Sequence, residues 1–511
     1  APLTWRTRLH WLALAIVPSS LLLGVTTHIS TDVAAIPLLW VAPLALYLLT
    51  FVIVFARKPL VSSNFAVLGH TFILTCLALT FWLSKSLLAD LSLHLLTFFI
   101  TALMCHGELA RRRPDVGNLT EFYLWMSLGG VVGGAFNGLL APLLFTSAHE
   151  YVLVLVLACL LRPAQDMARD KHESRIDVIL PLVLFGVLIP LNMTNGAYGI
   201  EAGVVAASVY AIYGALALFS FRERPLRFAL GVAAVLAAPL FAADGSREIS
   251  HERSFFGISR VTVTADGKWH LLRHGTTIHG AQAVAPDRWR ETQTYFSRHS
   301  PVGQIFAALA GREDVRHVGI IGLGTGTLAC HRQPWQTWTF YEIDPAIDRL
   351  ARDNRYFRYL SECTPEARTM LGDARISLAH AADGGYDVFV LDAFSSDAIP
   401  MHLLTREALA LYLAKLAPDG ILAFHISNRY LKLEPVVARL AADAGLSSLV
   451  QFHIPTTVTG MEVGSQWVVM ARASETLEPF RQDGRWQALV ARPGMSLWTD
   501  DFSNILNILK Y

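Results

Sequence analysis

Charge is scarce in this chain, and scarcest in its first half. Asp, Glu, Lys and Arg make up 16 % of 511 residues, against about 25 % in a typical soluble domain. Residues 1–245 hold only 28 of the 83 charged side chains. The net charge is +1, and the second half has no basic run with interleaved aromatics. The charge pattern therefore points to no nucleic-acid partner. Five cysteines are too few and too scattered for a disulfide framework or a zinc site. Cys76, Cys105 and Cys159 lie in apolar runs, and Cys330 and Cys363 are read as free, buried thiols. No H-E-x-x-H motif or cysteine pair points to a metal, so none is expected. No G-x-S-x-G elbow stands where a hydrolase would need it. The second half shows no internal repeat or low-complexity tract.

Long apolar runs are abundant. Residues 10–27, 34–56, 66–84, 88–107, 120–145, 149–161, 177–193, 198–220 and 226–243 are candidate spans. The runs 149–161 and 226–243 are the shortest. Residues 1–245 are thus expected to form a multi-pass helical membrane domain of about 8–9 spans. The first run lacks a small-residue cleavage site and follows Ala1 rather than Met. It is read as a true span of a trimmed or processed protein, not a signal peptide. Cationic residues gather on alternate loops, at Arg6/Arg8, Arg57/Lys58, Arg111–Arg113, Arg162–Arg175 and Arg222–Arg227, against Lys85 on the other side. That bias places the N-terminus in the cytoplasm. Nine spans would then put the second half outside. A miscount of one span would instead leave it in the cytoplasm, and that side is the expectation.

Within the first half, Gly129, Gly130, Gly133, Gly134 and Gly138 make a smooth face for close helix packing. His28, Asp32, His106 and Glu108 fall near loop ends and are read as solvated capping groups.

After Asp244 the hydrophobic period changes to two. Residues 255–265 and 268–273 are expected to form a hairpin about Asp266-Gly267, within a small β subdomain over 246–300. Over 301–511, a helix at 301–311 precedes strands at 317–322, 338–343, 375–379, 387–392, 420–426, 448–454 and 466–472, with helices between most of them. That alternation predicts a mostly parallel, doubly wound α/β sheet, whose ligand lies beyond the carboxyl ends of its strands.

The strongest local signal is Gly319-Ile-Ile-Gly-Leu-Gly-Thr-Gly326 followed by Tyr341-Glu-Ile-Asp344. It reads as strand, glycine turn, helix, and a second strand ending in an acid. Gly322, Gly324, Thr325 and Gly326 would let backbone approach a ligand, while Glu342, 20 residues after Gly322, would accept from a ribose diol. The G-x-G-x-G form suits an S-adenosylmethionine-type nucleoside better than a dinucleotide. Asp344 belongs to the same expected site. Asp373 and Ala374, in Gly372-Asp-Ala, would meet the adenine; the plainer reading of Asp373 is a turn residue bonding local N–H groups. In Asp387–Pro400, a buried strand delivers Asp392 to the cleft. An aspartate there could accept a proton from an attacking amine. Asp397 is a candidate substrate contact, or Asp392 or Asp397 caps the following helix. Tyr295, His279 and Gln282, and His425–Asn428, are secondary candidates for the cleft wall. Trp498–Ser503 would fold over the site or form a surface strand.

These residues resemble the spermidine synthase family of aminopropyltransferases over about 248–511. The resemblance rests on Phe255–Val261, His274–Gln282, the glycine loop, Glu342-Ile-Asp344, Gly372-Asp-Ala and Asp392–Pro400. The whole chain looks like bacterial multi-pass proteins with such a domain fused behind a membrane domain. The resemblance implies a Rossmann-like catalytic domain of the class I methyltransferase and spermidine synthase type. It implies a decarboxylated S-adenosylmethionine donor held by the glycine loop and Glu342, and adenine contacted by Asp373. Asp392 would deprotonate a polyamine acceptor, and methylthioadenosine would leave. Expected partners are the amine, the lipid bilayer and a second copy bound through the soluble domain. Two positions depart from the family pattern. Thr325 stands where the family carries an Asp for the donor's terminal amine, and Ser395 where it carries an acid three residues after the catalytic one. Ordinary S-adenosylmethionine, with methyl transfer, therefore stays open, as does a transporter or sensor whose second half binds nucleoside without turnover.

Overall fold

The computed structural model describes all residues except 1–2, 30–39, 57–60, 82–86, 146–148, 164–170, 194–199, 242–245, 276, 394–399, 430, 456–459 and 511. The chain divides into two compact units. One comprises Ala1–Val33 and Pro37–Asp244, and the other contains Gly245–Tyr511.

The described residues of the first unit are helical where the apolar runs predicted. In order they are α1 (Trp5–His28), α2 (Val41–Val54), α3 (Ser63–Thr80), α4 (Leu87–Arg111), α5 (Leu119–Ala135), a π turn at Phe136–Leu140, α6 (Ala141–Leu144), α7 (His149–Leu160), α8 (Lys171–Met193), α9 (Ile200–Phe221) and α10 (Pro225–Ala237). Five stretches are long and apolar enough to cross a membrane: Trp5–His28, Ser63–Thr80, Leu88–Arg111, Val116–Leu144 and Ser174–Leu191. Val41–Val54, His149–Leu160, Val205–Phe221 and Pro225–Ala237 are shorter apolar helices. At ~1.5 Å per residue, α10 reaches ~20 Å, less than a ~30 Å hydrocarbon core.

The glycine face of α5 packs on α1. A methyl group on Gly129 would fall 2.6 Å from Ala15 Cβ, and one on Gly133 would fall 2.4 Å from the carbonyl oxygen of Ile16. His106 and Glu108 are not solvated caps. Both are buried. His106 Nδ1 lies 2.7 Å from Thr50 Oγ1, with the ring stacked on Phe51. Glu108 accepts from Arg111 and Arg112. The helix end carries its own cations one turn on, so the carboxylate is paired without leaving the bundle. His28 likewise packs against His94, Phe81 and Tyr151. Asp32 lies outside the described residues.

The second unit opens with a four-stranded antiparallel meander, β1 (Arg247–Ser254), β2 (Gly257–Val263), β3 (Trp269–His274) and β4 (Thr277–Ala283). The turn between β2 and β3 forms at Asp266-Gly267 as expected. Asp266 Oδ1 accepts from Lys268 N and Thr264 Oγ1, and Gly267 takes φ +70°. β1 is a separate strand that the sequence reading left outside the hairpin.

After α11 (Pro301–Ala308) come β5 (His317–Ile321), β6 (Thr337–Glu342), α12 (Pro345–Arg352), α13 (Tyr359–Cys363), β7 (Arg368–Leu371), α14 (Ala374–Ala379), β8 (Tyr386–Leu391), α15 (Arg406–Lys415) and β9 (Leu416–His425). α16 (Glu434–Asp443), β10 (Ser447–His453), β11 (Ser465–Ala471), α17 (Glu478–Asp483) and β12 (Gln487–Ala488) complete the unit. These strands form one sheet ordered β12-β10-β11-β9-β8-β5-β6-β7. β7, β6, β5, β8 and β9 run parallel, and β11 is antiparallel to β9. This is a Rossmann-like, mostly parallel sheet. Its core is packed from Val318, Ile320, Trp338, Phe340, Val388, Val390 and Trp467, all essentially buried.

Two expectations fail here. Residues 375–379 are not the third strand: that strand is β7, and 374–379 is α14. Asp373 begins the helix, its Oδ1 accepting from the N–H groups of Arg375 and Ile376. Six residues with one buried stripe read alike at either period, and the cap decides. Cys330 and Cys363 are not free thiols either. They form a disulfide, with Cα atoms 5.0 Å apart across 33 residues of sequence. Cys330 sits in the 3-10 turn Thr327–His331 and Cys363 ends α13. Tertiary folding brings them together, and no local spacing announces the pair.

Candidate functional site

β5 is flanked by β6 on one side and β8 on the other, so chain connections diverge there in opposite directions. Such a switch point opens a crevice beyond the carboxyl ends of the strands. Gly322, Glu342, Asp373, Asp392 and His425 all stand at such ends.

The glycine loop is shaped by what surrounds it. Gly322, Gly324 and Gly326 take φ of +98°, +54° and +80°. A Cβ on Gly322 would fall 2.2 Å from the carbonyl oxygen of Asp392. Position 322 is therefore closed to a side chain on two counts, conformation and space. The loop also clasps the acid of β6. Leu323 N donates to Glu342 Oε2 at 3.0 Å and Asp344 N to Oε1 at 2.9 Å. Burial pushes the Glu342 carboxyl up to about 7, partly offset by those N–H donors. A carboxylate oxygen has two acceptor sites, so Glu342 can still accept from ribose hydroxyls when ionised.

Asp344 is committed elsewhere. Its Oδ1 accepts from Ala346 N at the start of α12, and its Oδ2 from Ser254 Oγ of β1 at 2.6 Å. It therefore ties the meander to the sheet. Asp373 keeps one oxygen on the α14 N–H groups and lays the other 3.1 Å from His402 Nε2. Ala374 is the buried first residue of α14. Thr325 is fully buried, its hydroxyl 2.6 Å from that of Thr327. It offers no charge to a ligand amine.

Asp392 lies deep. Its carboxylate is 6 % exposed and Oδ1 is 2.6 Å from His425 Nδ1. His425 Nε2 is 2.7 Å from Ser427 Oγ, and that hydroxyl accepts from Gln466 N at 2.7 Å. The chain of bonds assigns the tautomer: Ser427 donates to Nε2, and Nδ1–H donates to Asp392. The His425 ring is sandwiched between Tyr295 and Trp467, with centroids 4.7 and 4.6 Å away. Burial raises the Asp392 carboxyl, with His425 opposing. Burial, with the Asp392 charge added, holds the Tyr295 phenol well above its usual range. Tyr295 therefore stays a neutral phenol beside the acid.

His279 is held neutral, driven down to about 3 by burial and by His274 and His425. Its Nε2 has no hydrogen-bond partner among the described residues. Gln282 is fully used by backbone: Nε2 donates to Trp289 O and Oε1 accepts from Arg358 N. Asp397 lies outside the described residues. The terminal segment does not form a surface strand over Trp498–Ser503. Trp498 is buried, and Asp500 pairs with Arg375 and accepts from Thr405. The tail thus braces α14, which carries Asp373. His425 and Ser427 both lie in the stretch His425–Asn428 expected at the cleft wall. Sequence reasoning missed His402 and Ser254, which no local pattern marks.

No family model matches the chain. A stretch of 108 residues is 36 % identical to a polyamine aminopropyltransferase of Vibrio vulnificus (strain CMCP6), covering 20 % of this chain and 35 % of that protein. The chain spans about a third of the length of the curated relative it matches. Among solved structures, a probable spermidine synthase of Corynebacterium glutamicum ATCC 13032 is 14 % identical with TM-score 0.35, covering 48 % of this chain and 97 % of the other. A spermidine synthase of Thermotoga maritima gives the same identity and score, covering 48 % and 81 %. The O-methyltransferase TomG of Streptomyces achromogenes, in complex with SAM, is 15 % identical with TM-score 0.25, covering 34 % and 79 %. Structural scores at this level assign no activity.

Proposed function

We propose that the protein is a membrane-anchored transferase that takes an S-adenosyl sulfonium donor and passes its aminopropyl group to an amine. The arrangement of Asp392 carries the reading: a buried carboxylate held by His425, on a residue whose backbone carbonyl packs against Gly322 of the glycine loop. The glycine loop and Glu342 would hold the nucleoside, and Asp373 would face the adenine. The acceptor nitrogen's lone pair attacks the aminopropyl carbon next to sulfur. The C–S bond breaks with its electron pair passing to sulfur, and neutral methylthioadenosine leaves. The nitrogen's proton passes to Asp392. An amine of pKa ~10.4 costs about 4–5 kcal/mol to present neutral at pH 7. Only the neutral amine has a lone pair, so Asp392, its carboxyl raised by burial, takes the ammonium proton as the acceptor binds and offsets part of that cost. His425 is a positioning residue, fixing Asp392 by one oxygen and leaving the other to accept the proton.

Methyl transfer from ordinary S-adenosylmethionine is the second reading, and Thr325 favours it. A buried hydroxyl paired with Thr327 supplies no carboxylate for a terminal ammonium, and such charge-assisted bonds are worth about 1.5–3 kcal/mol each. Incubation with both donors and a polyamine panel, followed by mass spectrometry, separates the two. Methylthioadenosine marks aminopropyl transfer and S-adenosylhomocysteine marks methyl transfer. Ligand binding with neither product would overturn both in favour of a non-catalytic nucleoside-binding domain.

The same reading places the helical unit in the bacterial inner membrane with its N-terminus in the cytoplasm. A donor made from ATP supports a cytoplasmic catalytic half. The Cys330–Cys363 disulfide supports the other side, because such bonds persist in oxidising compartments. Nine helical runs with the observed loop charges lead to that side as well. Protease accessibility in oriented vesicles decides between them.

A further inference from the structure

We propose that the helical unit holds a single divalent transition-metal ion between α1 and α4, on His28, Asp90 and His94. One ligand atom from each of the three lies within 4.8 Å of the other two. Asp90 and His94 are four residues apart on α4 and share a face. His28 comes from the last turn of α1, its ring centroid 4.3 Å from that of His94. His94 Nε2 already faces Asp90 Oδ1 at 3.5 Å. Two bonds of ~2.0–2.2 Å to one ion, at a tetrahedral angle, put their donor atoms ~3.3–3.6 Å apart.

The setting has the second layer that metal sites carry. His94 is buried, and its other nitrogen, Nδ1, lies 2.9 Å from Tyr151 Oη of α7. An Nδ1–H donated to that phenol leaves the Nε2 lone pair facing Asp90 and the site. Tyr151 and Phe81 also stack on the His28 ring and hold it in place. Two neutral imidazoles and one carboxylate suit zinc or ferrous iron, and leave positions open for water or an exogenous ligand. The ligands are 62 and 4 residues apart in sequence, so no motif marks them. They sit at the end of α4 opposite Arg111–Arg113, which the charge bias places away from the cytoplasm.

The test uses the full-length protein in detergent, stripped with chelator and titrated with Co²⁺. The expected result is one Co²⁺ per chain with visible d–d absorption, displaced by Zn²⁺ and not by Mg²⁺. His94→Ala, His28→Ala and Asp90→Asn should abolish the absorption, and Tyr151→Phe should weaken Co²⁺ binding about 10–100-fold. Zn²⁺ should raise the Tm of the wild type and leave that of His94→Ala unchanged, with wild-type far-UV helicity and a monodisperse elution in detergent showing that each variant is folded. Absence of stoichiometric absorption in the wild type, or unchanged Co²⁺ binding in folded His94→Ala, would overturn the site and leave a hydrogen-bonded His–Asp–Tyr cluster.

Discussion

Gly133 in the helical unit and Gly322 in the α/β unit both leave no room for a methyl group, but for different reasons. Gly133 has ordinary helical geometry, and α1 lies against it, the Ile16 carbonyl 2.4 Å from where a Cβ would be. Gly322 takes φ +98° and turns the chain under Asp392. The first glycine lets two apolar helices come into backbone contact. The second lets backbone N–H groups reach an acid. Polar groups divide the same way. In the helical unit Glu108 is paired within one turn, with Arg111 and Arg112. In the α/β unit, acids from three strands gather at one edge: Glu342 of β6, Asp373 after β7 and Asp392 after β8. A buried carboxylate is neutralised by its own helix in one unit; in the other, Asp392 is held by a histidine from the neighbouring strand.

The sharpest way to break that contrast is Asp392→Asn. Turnover should fall about 10²–10⁴-fold while nucleoside affinity stays within a few-fold; steady-state kinetics beside calorimetry reads both. Unchanged turnover would return Asp392 to the structural class of Glu108. Next in size is the Cys330→Ser/Cys363→Ser pair. Closing a 33-residue loop should stabilise the α/β unit by about 3–4 kcal/mol in the loop-entropy account. Denaturant unfolding of the detergent-purified protein, with and without reductant, should show that loss in this unit alone.

Gly322→Ala should destabilise by about 1–3 kcal/mol from backbone strain alone, with more from the collision with Asp392. Gly133→Ala should instead loosen α1 from α5 and leave nucleoside binding intact. Equal effects of both changes on binding would erase the distinction drawn between the two glycines.

The smallest effect is a pH dependence. Glu342 titrates at about 7 because burial disfavours its charged form. Its folded value lies above the unfolded one, so its contribution to stability falls as pH rises from about 4.5 to 7. Ribose hydroxyls donate to the ionised form, so nucleoside affinity should move the other way, rising about tenfold between pH 6 and 8. Calorimetry across that range should show a flat profile for Glu342→Gln; a flat wild-type profile would remove Glu342 from the ribose role.

Much of this was legible in the chain. Apolar runs fell where the helices lie, since spanning-length hydrophobicity is a one-dimensional signal. The glycine loop, Glu342 and Asp392 were found because each sits at the junction of an apolar strand and a polar turn. The third strand was misplaced because Asp373 was read without its cap. The burial of His106 and Glu108 is not legible in the chain, because their partners Thr50, Arg111 and Arg112 are a matter of packing.

Sequence alone determined which segments avoid water, where the backbone must turn through left-handed glycine, and which acids end buried strands. These follow from local composition and period. Only the tertiary structure decided that Cys330 meets Cys363, that His425 and Ser427 hold Asp392, and that His28 joins Asp90 and His94. Those pairings join residues that are distant in the chain or locally unremarkable, and what brings them together is the packing of whole helices and strands, which no short pattern encodes.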